Sequence, residues 1–334
     1  METVVSGIRP TGKLHLGNYF GAVKNFLRMQ NEFKCYFFIA DYHSLTTHPT
    51  PADLHQSVKR VLAEYIALGL DTEKCALYLQ SDLPETTELY MFLNMNAYKG
   101  ELERVTSFKE KARSQPDNVN AGLLTYPVLM AADILLHKGA KVPVGKDQEQ
   151  HLEMARTFAN RFNRLYNVDY FPEPQAFNYN ENLVKIPGLT GGGKMSKSAG
   201  EFDNIYMGDD ADILRKKIMK AVTSVVDQPS EIGSAKPAAV QNLFDLMKLV
   251  TDQTIIDQFE SSYYDGNIRF GDMKKQLADD MELFIAPFRE RIESTINDDS
   301  FLSKVAKQGV EKAQESSLKT IREVREIIGF RKFY

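Results

Sequence analysis

A glycine-rich and basic stretch, GGGKMSKS, occupies residues 191–198. Lys194 and Lys197 carry positive charge that could neutralise a triphosphate, and Ser196 and Ser198 carry hydroxyl donors. The glycines would allow the loop to close after a nucleotide has entered. For this stretch taken alone, a solvated basic linker between two domains is the more ordinary interpretation.

A second candidate segment, SGIRPTGKLHLGNYFGA, lies at residues 6–22. Its glycines permit tight turns and close approach of a ligand to the backbone, and a helix beginning near Asn18 would direct free N–H groups at a phosphate. His15 and Asn18 can both donate hydrogen bonds to phosphate oxygens. The alternative is an ordinary glycine-rich turn in which Asn18 caps the helix. The glycine spacing matches neither the dinucleotide fingerprint nor the P-loop.

Alternating strands and helices must position these segments. Residues 3–5 are strand-like, the apolar run CYFFIAD at 35–41 suits a buried parallel strand, and CALYLQSD and KVPVG indicate further strands. Parallel neighbours need a crossover helix between them, so the pattern predicts an α/β fold with a doubly wound, Rossmann-like parallel sheet. From about residue 209 the apolar spacing is almost wholly helical.

The length of the chain, 334 residues, favours two domains. We predict a Rossmann-like catalytic domain at 1–203, with a helical insertion near 85–136, and a helical domain at 204–334. The last helix of the helical domain could also pack back on the sheet domain.

Composition limits the class of protein. Hydrophobic residues make up 43% and charged residues 26%, which is typical of globular proteins. A net charge of −4 argues against non-specific coating of nucleic acid but leaves room for a local basic face. The sequence shows no signal peptide and no membrane span, so we expect a cytoplasmic protein. Cys35 and Cys75 lack metal-ligand spacing, which predicts buried thiols and no structural metal.

The His-Leu-Gly-Asn turn after the first strand, combined with the Lys-Met-Ser-Lys-Ser loop after the last, resembles the signature pair of class I aminoacyl-tRNA synthetases. Three further segments, at residues 100–111, 123–136 and 144–163, are similar to the bacterial tryptophanyl branch of that class. The resemblance implies activation of L-tryptophan by ATP with Mg²⁺, transfer of tryptophan to tRNA(Trp), and a homodimer. It also implies that the helical domain binds the tRNA anticodon.

Asp133 lies in the otherwise apolar stretch MAADILL, where an unpaired carboxylate would be costly. The resemblance implies that this carboxylate accepts the indole N–H of tryptophan, whereas a salt bridge or a helix cap is the structural alternative. The other tryptophan contacts implied by the resemblance are His43, Tyr126, Met130, Val142, Val144 and Gln148, and Arg9 is a further candidate contact.

The resemblance also implies a nucleotide site. Its ATP contacts are Gly7, Thr11, Gly17, Asn18, Gly145, Asp147, Met195 and Ser196, and its catalytic groups are His15, Asn18, Lys111, Lys194, Lys197 and Ser198. Arg9 is a further candidate ATP contact. Two positions depart from the family pattern, because some relatives carry an aromatic residue and a glutamine where this chain has Val5 and Arg9. Arg9 can bind either the substrate carboxylate or an ATP phosphate.

Two alternatives remain open at the level of sequence. A tyrosyl-tRNA synthetase would carry the same loops, and Asp133 could accept a phenol hydroxyl. A paralogue that has lost catalysis is disfavoured by the intact His15 and Lys194. Seven basic residues are the candidates for a tRNA-binding surface, and each can equally lie on a solvated helix face: Lys216, Lys217, Lys220, Arg322, Arg325, Arg331 and Lys332.

Overall fold

The fold is described from a computed structural model. The structure describes residues 1–145, 148–179, 185–191, 193–196, 199–223 and 235–333. The predictions for Asp147, Lys197 and Ser198 lie outside these residues.

Within the described residues, five parallel strands form one sheet in the order β3-β2-β1-β4-β5. This arrangement confirms the predicted doubly wound α/β fold, because the chain crosses over between neighbours and reverses direction along the sheet. The sequence prediction contained no counterpart of the short, exposed β5. The strands are β1 (Thr3–Ile8), β2 (Lys34–Ile39), β3 (Ala76–Leu79), β4 (Lys141–Val142) and β5 (Gln175–Ala176).

Helices connect the strands and make up most of the remaining chain. The α-helices are α1 (Leu16–Asn18), α2 (Lys24–Glu32), α3 (Asp41–Ser44), α4 (Pro51–Ala67), α5 (Pro84–Asn94), α6 (Lys99–Leu102), α7 (Thr106–Ser114), α8 (Ala121–Leu136), α9 (Glu149–Tyr166), α10 (Ala211–Met219), α11 (Ala238–Val250), α12 (Gln253–Tyr264), α13 (Phe270–Ile296) and α14 (Asp299–Ile328). A π-helical turn covers Tyr19–Val23, and short 3₁₀ turns cover Leu45–Thr47, Gln80–Asp82, Pro116–Asn118 and Glu201–Asp203.

Local sequence explains the central elements. In β2, every residue from Cys35 to Ile39 is buried, as expected for a parallel strand covered on both faces. Helix α4 begins as its sequence predicts, with Thr50 as N-cap and Pro51 in the first turn. The Thr50 hydroxyl accepts a hydrogen bond from the Asp53 N–H at 3.2 Å.

The chain separates into two compact units. The first comprises Met1–Gly12, Asn25–Glu181 and Asp298–Tyr334, and the second comprises Lys13–Lys24 and Asn182–Asn297. The boundary predicted after residue 203 falls within the second unit, and α14 belongs to the first. The two predicted domains, 1–203 and 204–334, stay a prediction. In the described part of the chain, no helix is long and apolar enough to cross a membrane.

Helix α14 packs against β3, an edge strand of the sheet, at very short range. A Cβ atom placed on Gly309 would lie 1.7 Å from the Leu77 carbonyl oxygen, so only glycine permits this approach. Ala313, Ile321 and Val324 continue the contact into the sheet core. The C-terminal helix α14 thus packs on the sheet and belongs to the first unit.

We expect Gly309→Ala to reduce the free energy of unfolding by about 1–3 kcal/mol, because the added methyl group would force α14 away from β3. Elsewhere in a helix this change normally stabilises, by up to about 1 kcal/mol. Gly271→Ala is the matched control, since a Cβ there meets nothing within 4 Å. Chemical denaturation measures both variants, and equal effects would contradict the steric explanation.

Candidate active site

A cavity of about 260 Å³ lies in the first unit, where the strands end. Its wall includes Arg9 after β1, His43 after β2 and Val144 after β4. This is the edge at which doubly wound sheets bind ligands. Gly7 and Gly145, two of the predicted ATP contacts, line the cavity. All predicted tryptophan contacts line it as well: Arg9, His43, Tyr126, Met130, Asp133, Val142, Val144 and Gln148.

Asp133 is the buried acid of the cavity, with 4% of its surface exposed. Its Oδ2 accepts a hydrogen bond from His43 Nε2 at 2.8 Å, and its Oδ1 accepts one from Gln80 Nε2 at 2.7 Å. Burial raises the pKa of Asp133, while the hydrogen bonds and charge of His43 and the Gln80 amide oppose that rise. Each carboxylate oxygen can accept more than one hydrogen bond, so Asp133 retains capacity for a ligand donor.

Gln80, which hydrogen-bonds the acid of the cavity, is a residue that the sequence reasoning missed. It is 1% exposed and directly follows β3. Its position at the carboxyl end of a strand neighbouring β2 was the signal available, because the ends of parallel strands meet at one edge of the sheet. The apolar wall also contains residues not singled out as contacts in the sequence: Phe38, Ala40, Ile134 and Pro143.

The aromatic wall of the cavity is built around Tyr126. The Tyr126 ring meets the His43 ring edge to face, with centroids 4.7 Å apart, and the His151 ring with centroids 5.3 Å apart. Opposite charge distributions of ring edge and ring face favour such pairs. Gly7 contributes by lacking a side chain, since a Cβ there would lie 2.4 Å from the Phe38 ring.

Two cations belong to the same region. Arg9 lines the cavity, and its Nε is buried without a hydrogen-bond partner among the described residues. Lys111 holds its ammonium group 4.6 Å from the centroid of the Tyr126 ring. Burial, and after it the charge of Arg9, lowers the pKa of Lys111. A buried, unpartnered guanidinium nitrogen beside a second cation suits an anionic ligand such as a carboxylate or phosphate.

Gln148, which also lines the cavity, is held in place by a chain of hydrogen bonds. Its Oε1 lies 2.8 Å from His151 Nδ1, and His151 Nε2 lies 2.7 Å from the Ser107 hydroxyl. Since the carbonyl oxygen of an amide can only accept, His151 Nδ1 carries the proton and donates. Its Nε2 in the neutral ring then accepts from Ser107.

In the second unit, His15 and Asn18 cap the short helix α1 reciprocally. Asn18 N–H donates to His15 Nδ1 at 3.3 Å, and His15 N–H donates to Asn18 Oδ1 at 3.1 Å. A neutral His15 ring therefore carries its proton on Nε2. Both side chains therefore cap this turn, as the alternative interpretation expected of Asn18. Gly17 permits this geometry, because a Cβ on it would lie 2.9 Å from the imidazole.

The described part of the glycine-rich basic loop lies in the same unit. Met195 is buried and its N–H donates to the Ile186 carbonyl at 2.8 Å, whereas Lys194 is exposed. Gly191 and Gly193 have positive φ angles of 82° and 121°, a backbone conformation that favours glycine. The loop thus presents a lysine to solvent beside an anchored methionine.

Several residues outside the cavity also have defined places. Thr11 is exposed and its N–H donates to the Arg9 carbonyl at 2.9 Å. The inclusion of Lys217 in a basic surface was wrong, because that side chain is 1% exposed and pairs with Asp209 at 2.8 Å.

Cys35 and Cys75 are buried free thiols, as expected. Among the described residues, no group of His, Cys, Asp and Glu side chains could hold a metal ion.

Comparison with known proteins agrees with these observations. Over 331 residues the chain is 58% identical to the tryptophan–tRNA ligase of Porphyromonas gingivalis, covering 99% of this chain and 100% of the relative. It is 39% identical to the tryptophan–tRNA ligase of Rickettsia conorii, covering 98% and 99%. Tryptophanyl-tRNA synthetase from Campylobacter jejuni, solved as a complex with ADP and tryptophan, superposes with a TM-score of 0.86 at 33% identity, covering 98% and 100%.

A parallel sheet with a ligand cavity at its carboxyl edge, together with the HLGN and KMSKS segments, has the organisation of a class I aminoacyl-tRNA synthetase. Residues 2–286 match the family of tRNA synthetases class I (W and Y), and the chain belongs to that family. Within it, the resemblance to the bacterial tryptophanyl branch is confirmed.

We expect Gln80→Leu to weaken tryptophan binding by about ten-fold or more, because it removes a hydrogen bond that orients a charged acceptor. The chain contains no tryptophan, so fluorescence of the bound amino acid reports affinity without an indole background. Gln30→Leu is the control, since Gln30 Oε1 accepts a hydrogen bond from the Asp71 N–H at 2.9 Å and Gln30 does not line the cavity. Unchanged affinity in Gln80→Leu would contradict this role.

The pH dependence of tryptophan binding tests the acceptor role of Asp133. Its pKa is raised, so the ionised form is lost as pH falls through that raised pKa. Since an ionised carboxylate is the better acceptor, we expect affinity to be constant at high pH and to decline on acidification. Asp133→Asn should bind more weakly and lose this pH dependence. The same profile in both proteins would assign the titration to another group.

Proposed function

We propose that this chain is a tryptophan–tRNA ligase that activates L-tryptophan with ATP and transfers it to the terminal adenosine of tRNA(Trp). The observation that carries the proposal is the buried carboxylate of Asp133 in a small aromatic-walled cavity. Tryptophan has one polar side-chain group, the indole N–H, and a carboxylate acceptor on an apolar wall matches it.

Substrate binding would use opposite sides of the cavity. The indole would lie against Tyr126, Met130, Val142 and Val144, with its N–H donating to Asp133. The amide of Gln148 would accept from the α-ammonium group. Arg9 would bind the α-carboxylate, a role supported by its buried, unpartnered Nε.

In the first step, a tryptophan carboxylate oxygen would attack the α-phosphorus of ATP. A bond forms between that oxygen and phosphorus, and the bond to the bridging oxygen of pyrophosphate breaks. Such a reaction depends on alignment and charge neutralisation rather than on a protein nucleophile. In the second step, a ribose hydroxyl of the tRNA terminus attacks the activated carbonyl and AMP leaves.

Cationic and donor groups would stabilise the charge on the departing pyrophosphate. We assign this role to Lys111, Lys194 and Lys197, with His15 donating through its protonated Nε2. Asn18 and Ser198 complete the catalytic set. Mg²⁺ would enter as the ATP complex and supply further neutralisation. The remaining ATP contacts are assigned to Gly7, Thr11, Gly17, Gly145, Asp147, Met195 and Ser196.

We further infer that the protein acts in the cytoplasm as a homodimer and that the helical domain at 204–334 binds the tRNA anticodon. Lys216 on α10 and Lys220 directly after it, with Arg322, Arg331 and Lys332 near the C-terminus, are exposed cations suited to phosphate contacts. Light scattering tests the dimer, and a steep salt dependence of tRNA affinity tests the phosphate contacts.

ATP–pyrophosphate exchange, with each proteinogenic amino acid offered separately and Mg²⁺ present, tests the proposed function. Exchange with tryptophan alone is the expected result. Exchange with tyrosine would overturn the assignment of Asp133 to indole and favour the sister enzyme. Folded protein that exchanges no amino acid would favour a non-catalytic paralogue.

We expect Lys194→Ala to lower the rate of tryptophan activation at least ten-fold, with tryptophan affinity unchanged, because the lysine acts on phosphate charge that develops during the reaction. Pre-steady-state kinetics and equilibrium titration separate the two quantities. Lys275→Ala removes another exposed lysine and should alter neither. Equal losses of rate and affinity in Lys194→Ala would contradict the assignment.

A further inference from the structure

Residues 203–209, here called the 203–209 segment, follow the KMSKS loop and hydrogen-bond to both signature regions of the second unit. At its start, Asp203 Oδ1 accepts from the Thr190 N–H at 2.7 Å and from the Thr190 hydroxyl at 2.5 Å. The Leu189 N–H donates to the Asp203 carbonyl at 3.2 Å. The chain entering the glycine-rich loop is therefore fixed to the segment that leaves it.

Asn204 makes the corresponding contacts at the other end of the loop. Its side-chain amide donates to the Ser196 carbonyl at 2.8 Å and to the Gly200 carbonyl at 2.8 Å. The side chain is fully buried. In sequence, these two carbonyls bracket Lys197 and Ser198. One buried amide group thus uses both of its N–H donors on the backbone that flanks the second lysine of the motif.

The next residues bind the turn that carries His15. The Leu16 N–H donates to the Ile205 carbonyl at 2.8 Å, and the Met207 N–H donates to the Leu14 carbonyl at 3.0 Å. Between these bonds, His15 and Tyr206 form an antiparallel bridge. The residues that pair with the His15 turn begin directly after Asn204. The same short segment of backbone therefore contacts both the loop and the His15 turn.

A buried ion pair anchors the end of the same segment. Asp209 Oδ2 accepts from the Tyr206 N–H at 3.0 Å and from Lys217 Nζ at 2.8 Å. Both charged side chains are nearly inaccessible, with Asp209 at 2% and Lys217 at 1%. Lys217 Nζ also lies 4.6 Å from the centroid of the Tyr206 ring. Breaking such a pair would leave an uncompensated buried charge, so the ion pair strongly favours this position of the segment.

We propose that Asn204 is a positioning residue for ATP, which fixes the backbone at Ser196 and Gly200, on either side of Lys197 and Ser198 in sequence, relative to the His15 turn through the 203–209 segment. The proposal rests on the proposed function, because it assigns both regions to the nucleotide phosphates. Asn204 acts through backbone carbonyl groups and does not itself need to touch the substrate. Tryptophan binding, which uses the first unit, is expected to be independent of it.

Asn204→Asp is the test variant, because it keeps the shape and replaces the donating amide by a carboxylate that repels both carbonyls. We expect the ATP affinity, measured by equilibrium dialysis, and the maximal exchange rate each to fall about ten-fold or more. The tryptophan affinity, read by ligand fluorescence, should stay unchanged. Asn204→Ser retains one donor and should give an intermediate result, which keeps the test available if the first variant folds poorly.

Asn163→Asp is the matched control. The Asn163 amide donates to the Phe171 carbonyl at 2.9 Å, and its oxygen accepts from the N–H groups of Phe171 and Tyr170 at 3.0 and 3.2 Å. It therefore fixes a loop in the first unit as Asn204 does in the second, away from the residues that line the cavity. We expect a lower melting temperature in this variant and unchanged ATP affinity.

Each outcome is decisive. Wild-type ATP affinity in both Asn204 variants would overturn the positioning role, and so would parallel losses of ATP and tryptophan affinity, which indicate general destabilisation. Wild-type protein that binds ATP but exchanges no amino acid would refute the proposed function alone, since the dialysis comparison still measures positioning. Wild-type protein that binds no ATP would refute both.

Discussion

The buried carboxylate of Asp133 is the constraint on which the site depends. Helix α8 is otherwise apolar around it, so the charge is tolerated only if donors arrive from elsewhere in the fold. His43 and Gln80 supply them, and each follows a different strand of the sheet. The polar floor of the cavity therefore exists only when β2, β3 and α8 are packed together, which links ligand recognition directly to the fold.

Glycines permit close packing in the first unit, both at the cavity and elsewhere. Gly7 lets the Phe38 ring lie against β1, and Gly309 lets α14 approach the backbone of β3. A methyl group at Gly309 would meet the backbone of β3 and force α14 away from it, whereas a methyl group at Gly7 would displace the Phe38 ring. At Gly7 the cavity wall is consequently determined by the absence of a side chain, and the rings of Tyr126 and His43 in the same wall contact one another.

The second unit follows another principle, in which polar side chains fix backbone rather than ligand. His15 and Asn18 cap one another, Asn204 holds two carbonyl groups, and Asp209 pairs with the buried Lys217. Regions rich in glycine have little intrinsic order, so such cross-links are needed to give them one geometry. Exposed charge, as at Lys194, then projects from a fixed base.

The sequence by itself determined the parallel sheet, the helical character of the later chain and the family. These properties are local or repetitive: continuous apolar runs, helical spacing and two short motifs. The resemblance to the family also implied residues that line the cavity, some of which follow strand ends and others of which lie on α8. Only the tertiary structure decided the partners of Asp133, the burial of Lys217 and the close packing at Gly309. Those depend on contacts between residues far apart in sequence, and a lysine on a helix looks the same in sequence whether its face meets water or a buried aspartate.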